Sequence, residues 1–85
     1  MSNCTISDPL ELTGEALMRK GDYRSALAKF RLADEAAPLW GANHLRWGQS
    51  LLHTGYKREA QEQLDKARSL GLSASDRASL DALLR

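Results

Sequence analysis

The sequence contains few cysteines, few aromatic residues and little net charge, so it lacks features typical of disulfide-bonded proteins and of proteins that bind nucleic acid or charged membranes. Its 85 residues include one cysteine, which excludes a disulfide within the chain and is typical of a reducing compartment. Aromatic residues make up only 6%, which is thin for a platform on which nucleobases stack. The 12 basic and 11 acidic residues leave a net charge of +1, which disfavours duplex nucleic acid and anionic membranes as partners.

Segments that direct a protein to a membrane are also missing from the sequence. No run approaches the ~18 apolar residues of a membrane span, and the first residues lack the basic start and apolar stretch of a secretory signal. We therefore expect a cytoplasmic location, with neither a membrane nor nucleic acid as partner. The length allows one folded domain, which we expect over residues 8–85 after a flexible N-terminus over residues 1–7.

The most informative feature that is present is an internal repeat with a period of 34 residues. Sliding the chain against itself gives six identities between positions 14–33 and 48–67, where ordinary composition gives about one or two. The identical pairs are Gly14 and Gly48, Leu17 and Leu51, Gly21 and Gly55, Arg24 and Arg58, Ala26 and Ala60, and Ala33 and Ala67. Small residues that let helix axes approach, beside large apolar ones, are the types that a helical hairpin needs.

The apolar spacing and the positions of glycine and proline predict five helices. Asp8 is expected to cap the first helix, with Pro9 in its first turn, and Gly21 to end it. Asp22 is expected to cap the second helix, which Pro38 stops. The third, fourth and fifth helices are predicted over about 41–54, 57–70 and 75–85.

Both copies of the repeat carry a recognisable residue pattern. The first copy has Leu10-x2-Thr13-Gly14-x2-Leu17, Ala26-x3-Phe30, Ala33 and Pro38, and the second has His44-x2-Trp47-Gly48-x2-Leu51, Ala60-x3-Leu64 and Ala67. These residues resemble two tetratricopeptide repeats. The departures are Leu10 and His44 at the usual tryptophan, Thr13 at a usual leucine, and Leu72 at the final proline.

The resemblance implies an all-α fold class, in which antiparallel helical hairpins stack as a short right-handed α-solenoid of about five helices. Repeat one would cover residues 8–40, repeat two 41–74, and a capping helix 75–85. Such arrays hold a peptide or a helix of a partner protein on their inner surface and do not usually catalyse reactions. The resemblance therefore implies a protein–protein interaction module or scaffold without a cofactor, rather than an enzyme.

In this family the binding groove lies on the helix face next to the packing face. Successive residues of a helix are rotated by about 100°, so the positions next to the packing face can be read from the sequence, and eight residues occupy them. The predicted peptide-binding residues are Glu11, Glu15 and Met18 on the first helix and Ala42, Leu45, Gln49, Leu52 and His53 on the third. This groove would be acidic on the first hairpin and apolar on the second. The alternative is that the apolar members are ordinary core and the glutamates form a solvated face.

One subfamily of these repeats clamps the C-terminal carboxylate of heat-shock chaperones with lysine, arginine and asparagine. At the corresponding positions this chain has Glu11, Glu15, Arg46, Asp76 and Leu80. Carboxylates there would repel an anionic peptide end, so we do not expect that ligand.

Three further hypotheses concern self-assembly, RNA binding and a metal site. A short array leaves apolar end faces, so self-assembly through Leu80, Leu83 and Leu84 is the alternative to partner binding. RNA binding is the weakest hypothesis, because the expected inner face is not basic. His44 and His53 are nine residues apart, on opposite sides of one helix, so we expect partly exposed histidines and no metal site. Trp47 is expected in the core.

Overall fold

The computed structural model describes residues 7–84, and side chains from residue 13 onward. This part of the chain forms five helices and no strand, so the all-α prediction is confirmed for it. The helices are α1 (Ser7–Arg19), α2 (Tyr23–Ala36), α3 (Gly41–Thr54), α4 (Lys57–Ser69) and α5 (Ala74–Leu83). The flexible N-terminus predicted over residues 1–7 lies, apart from residue 7, outside the described residues.

The helix ends agree with the sequence pattern to within about two residues, and two N-termini differ in the residue that caps them. Asp22 caps α2 as predicted, because its carboxylate accepts a hydrogen bond of 3.2 Å from the N–H of Ser25. Asp8 was predicted to cap α1 but already lies within that helix. α5 begins slightly earlier than predicted, because the hydroxyl of Ser73 accepts a hydrogen bond of 3.1 Å from the N–H of Asp76.

Two equivalent turns close the two hairpins. Gly21 and Gly55 both have positive φ angles, 85° and 93°, which glycine adopts without strain. The next residues, Asp22 and Tyr56, each donate their N–H to a carbonyl five positions back, at 2.9 Å in both cases. This pattern ends a helix and reverses the chain, so the second helix of each hairpin returns along the first.

The 34-residue repeat of the sequence is a repeat of packing contacts. A Cβ on Gly14 would lie 2.5 Å from the ring of Phe30, and a Cβ on Gly48 would lie 2.7 Å from the side chain of Leu64. Only glycine allows this approach between α1 and α2 and between α3 and α4. The four alanines of the repeat, Ala26, Ala33, Ala60 and Ala67, are all fully buried.

α3 lies at the centre of the fold. It packs against α2 and α4 and also contacts α1 and α5, whereas α2 and α4 do not contact each other. The first helix of each hairpin and the final helix therefore form one layer, α1–α3–α5, and α2 and α4 form the other. Two faces of α3 remain uncovered in this arrangement, one in each layer.

The core on the second hairpin includes two residues that the sequence had placed on surfaces. Leu45 and Leu80 are both fully buried, in a cluster with Leu64 and Ala67. α5 packs across α3 and α4, and Leu80 covers Leu45 when it does so. Leu45 therefore does not lie on the groove surface, and Leu80 offers no exposed surface for self-association, contrary to the predictions.

His44 and Trp47 exchange the environments predicted for them. His44 is 1% exposed. Its Nδ1 lies 2.6 Å from Oε1 of Gln63, and its Nε2 lies 2.7 Å from the carbonyl oxygen of Pro38 and 3.3 Å from the carboxylate of Asp34. Trp47 is only half-buried and lies beside His44, with 6.2 Å between the ring centroids. His44 is thus the core residue, and Trp47 contributes to a surface.

Candidate functional site

The inner groove is the hollow that α1, α3 and α5 enclose. Its volume is about 340 Å³, and it is lined by Met18, Gln49, Leu52, His53 and Leu83. Met18, Leu52 and Leu83 supply apolar walls from three different helices, whereas Gln49 and His53 supply a polar edge. Four of these five residues were predicted for a groove, and the fifth, Leu83, was predicted for self-association.

The position of the inner groove follows from the periodicity of α3. Ala42, Arg46, Gln49 and His53 recur at intervals of three and four residues and therefore share one face of the helix. Leu45 lies about 100° away and points to α5. Leu45 was therefore misplaced on the predicted groove face, whereas Gln49, Leu52 and His53 do line the inner groove.

Three helices are joined by ion pairs at one end of the inner groove. The guanidinium of Arg46 on α3 lies 3.0 Å from the carboxylate of Glu15 on α1 and 2.8 Å from that of Asp76 on α5. Glu15 also lies 3.6 Å from the guanidinium of Arg19, one turn further along α1. Two carboxylates therefore face two guanidinium groups, and the cluster carries no excess charge.

Arg46 is held firmly in its charged state. Partial burial disfavours the charge, but the hydrogen bonds and negative charges of Asp76 and Glu15 outweigh the burial and raise the pKa of Arg46 above its ordinary value. The negative charge of Glu15 is balanced by the guanidinium groups of Arg46 and Arg19. The side chain of Glu11, the other predicted acid, lies outside the described residues.

An aromatic contact fixes the opposite end of the groove. The rings of His53 and Tyr23 stack nearly parallel, with 4.2 Å between centroids and 7° between planes. Tyr23 is the first residue of α2, so the contact joins the start of that helix to the end of α3. His53 is exposed and can offer a ring nitrogen to a ligand in the groove.

Two of the other predicted residues, Ala42 and Leu84, do not line the hollow of the inner groove. Ala42 is half-buried, one turn before Arg46 on the same face of α3. Leu84 is half-buried and packs against the core cluster. Of the three residues predicted for self-association, Leu83 lines the inner groove, and it is 37% exposed. Self-association through it stays a prediction.

Arg46 and Asp76 were missed as site residues. The sequence contained a signal for both of them, because the comparison with the chaperone clamp had placed them on groove helices. Their mutual contact depends on how α5 docks on α3, which no local pattern reveals.

Among the residues that the structure describes, no group of three or more histidine, cysteine, aspartate or glutamate residues could hold a metal ion. No helix in the same range is long and apolar enough to cross a membrane. Comparisons with protein-family models, with curated proteins and with solved structures found no match.

Proposed function

We propose that the chain is a non-catalytic protein–protein interaction module of the tetratricopeptide type, and that its inner groove binds a segment of a partner polypeptide. The observation that carries the proposal is a hollow of about 340 Å³ in which apolar side chains from three helices converge. Ligand-binding pockets typically have volumes of about 300–1,000 Å³, with apolar walls and a few polar groups. A cytoplasmic location is part of the proposal and is supported by the single cysteine.

The chemistry of the groove favours a partner with an apolar anchor. Met18, Leu52 and Leu83 would surround such a side chain, and full burial of a leucine-sized group contributes about 1.5–3 kcal/mol. The amide of Gln49 and the ring of His53 can hydrogen-bond the partner's backbone. Because the adjacent ion cluster is neutral, a basic residue in the partner is not required, in contrast to the prediction from sequence.

The proposal can be tested with a displayed peptide library. Peptides selected on the intact chain should shift the amide NMR signals of Met18, Gln49 and Leu83. Two groove variants, Gln49→Lys and Leu83→Lys, should each weaken the selected peptides at least about tenfold, because each places a charge in the apolar hollow.

Matched controls separate groove binding from general effects of added charge. Gln61→Lys repeats one substitution on an exposed face of α4, and Leu32→Lys repeats the other at a leucine that is 45% exposed, against 37% for Leu83. Both controls should bind like the unaltered chain. Equal binding by Gln49→Lys, Leu83→Lys and the controls would assign the peptides to another surface.

A further inference from the structure

A second groove crosses the opposite layer of the fold. α2 and α4 form its walls and do not contact each other, so α3 forms the floor between them. Two hollows of about 340 and 310 Å³ follow one another along this floor, the first beside Trp47 and Leu51 and the second beside His44. We call this feature the outer groove.

The outer groove is separate from the inner groove. His44, Trp47 and Leu51 recur at intervals of three and four residues on one face of α3. Gln49 and His53, which line the inner groove, lie roughly half a turn away. The two grooves share no lining residue.

Large apolar and aromatic side chains remain accessible in the outer groove. Tyr56 is 52% exposed in the first hollow, and Leu39 is 79% exposed in the second. Trp47 is half-buried and lines the first hollow together with Tyr56. Grouped exposure of this kind marks interaction surfaces, whereas single exposed residues are ordinary.

The charges on the two walls are arranged diagonally. In the first hollow Arg31 is on α2 and Glu59 is on α4; in the second Asp34 is on α2 and Lys66 is on α4. Arg31, Glu59 and Lys66 form no ion pair with any residue in the described range. Each wall thus carries one positive and one negative charge, and the order of the two charges along the groove is opposite on the two walls.

We propose that the outer groove binds an amphipathic α-helix of a partner protein whose flanking charges complement this diagonal. His44 and Leu51 are seven residues apart, which is about 10 Å along α3 and equals two turns of a bound helix. The walls are helices whose backbone groups are already paired, so an extended segment would leave its own N–H and C=O groups without partners. A helix satisfies its backbone internally and presents only side chains.

The diagonal also determines which helix binds. The favoured helix carries an acid facing Arg31 and a base facing Asp34 on one flank, and a base facing Glu59 and an acid facing Lys66 on the other. Turning this helix end for end exchanges both the flanks and the order of charges, so the same pairs form in either direction. A helix with all four charges inverted is disfavoured in both directions.

Two alanine-based helical peptides of about 15 residues provide the test, because both are long enough to span the groove. Both carry leucines along one face, and they differ only in that all flanking charges are inverted. The complementary peptide should shift the amide signals of α2 and α4 and the Trp47 indole signal. It should bind about threefold or more tightly than the inverted peptide, since several exposed ion pairs form in one and repel in the other.

A charge exchange in the protein completes the experiment. Arg31→Glu combined with Glu59→Arg leaves two like charges on each wall, so the preference between the peptides should disappear. The matched control, Arg77→Glu with Asp81→Arg on the exposed face of α5, keeps the same net charge and should retain the preference.

Four results would overturn the proposal. They are absence of peptide binding, shifts confined to the inner groove, an unchanged preference in the Arg31→Glu, Glu59→Arg variant, and concentration-dependent shifts of the same signals without peptide. The last result would identify a second copy of the chain as the occupant. None of these results argues against peptide binding in the inner groove.

Discussion

Gly48 offers the sharpest test of how α3 packs on α4. In Gly48→Ala the new Cβ would lie 2.7 Å from both Cγ and Cδ2 of Leu64 and 3.3 Å from the carbonyl oxygen of Ala60. Leu64 is 2% exposed and Cγ is not the end of its side chain, so the contact cannot be relieved by a simple rotation. Either the leucine or the helix must move.

The expected magnitude is a balance of two opposing effects. Overpacking of a core costs about 1–3 kcal/mol. Alanine in place of glycine inside a helix stabilises by about 1 kcal/mol. We therefore expect Gly48→Ala to lower the free energy of unfolding by about 0–2 kcal/mol. Gly48→Leu places more atoms in the same space and should lower it by about 1–3 kcal/mol, which is large for a domain whose stability is about 4–13 kcal/mol.

A double-mutant cycle separates the two effects. Urea unfolding followed by circular dichroism would compare the unaltered chain with Gly48→Ala, Leu64→Ala and the combined variant. Leu64→Ala alone should cost about 2–5 kcal/mol, but it removes the atoms that the new Cβ meets. In that background Gly48→Ala should be neutral or stabilising, which gives a favourable coupling of about 1–3 kcal/mol.

One result would refute the reasoning. If Gly48→Ala stabilises the otherwise unaltered chain by about 1 kcal/mol, as at an open helix site, the close contact between α3 and α4 does not exist. Gly14→Ala, which faces Phe30 in the first hairpin, is an independent repetition of the test and should behave in the same way.

Three further predictions concern the two grooves and the core. Arg46→Met leaves two carboxylates side by side and should lower the free energy of unfolding by about 1–3 kcal/mol in low-salt urea titrations. The difference in stability should shrink in about 1 M salt. Equal stability of the variant and the unaltered chain would contradict the ion cluster. His44→Ala removes buried hydrogen bonds and should cost about 2–4 kcal/mol in thermal unfolding, whereas the matched change His53→Ala loses only a ring contact and should cost less than about 1 kcal/mol. Leu45→Glu should unfold the domain, because it places a charge in the core, whereas Gln49→Lys should retain the helical circular dichroism spectrum; a folded Leu45→Glu would return that residue to the groove.

The fold could be predicted from the sequence because its determinants are local. Gly21 and Gly55 mark the turns through their own backbone freedom, and Asp22 caps the helix that it precedes. The pairing of Gly48 with Leu64 spans only 16 residues within one hairpin. Repetition of the glycine signals after 34 residues, Gly21 with Gly55 and Gly14 with Gly48, then distinguished them from coincidence.

The candidate site was predicted less well because it depends on contacts between hairpins. Leu45 and Leu52 have the same side chain and lie two turns apart on nearly the same face of α3, yet Leu45 is fully buried while Leu52 still reaches the inner groove. The difference arises from Leu80, which lies 35 residues after Leu45 in the chain. His44 became a core residue only through Gln63 and Pro38, and hydropathy alone gives no sign of such partners.

The two grooves should respond differently to salt, which makes their occupants separable in one sample. Charges at the inner groove are already paired within the protein, so its affinity should arise mainly from apolar burial and change little with salt. Three of the four charges at the outer groove, Arg31, Glu59 and Lys66, are exposed and form no ion pair in the described range, so its selectivity should fall as salt shortens the reach of each charge to about 3 Å at 1 M. With α3 between them, a peptide in one groove does not obstruct the other. A chain of this size could therefore hold two partners at once, which is the property that a scaffold requires. Competition between an inner-groove peptide and the complementary helix, measured by NMR at low salt, would contradict this independence.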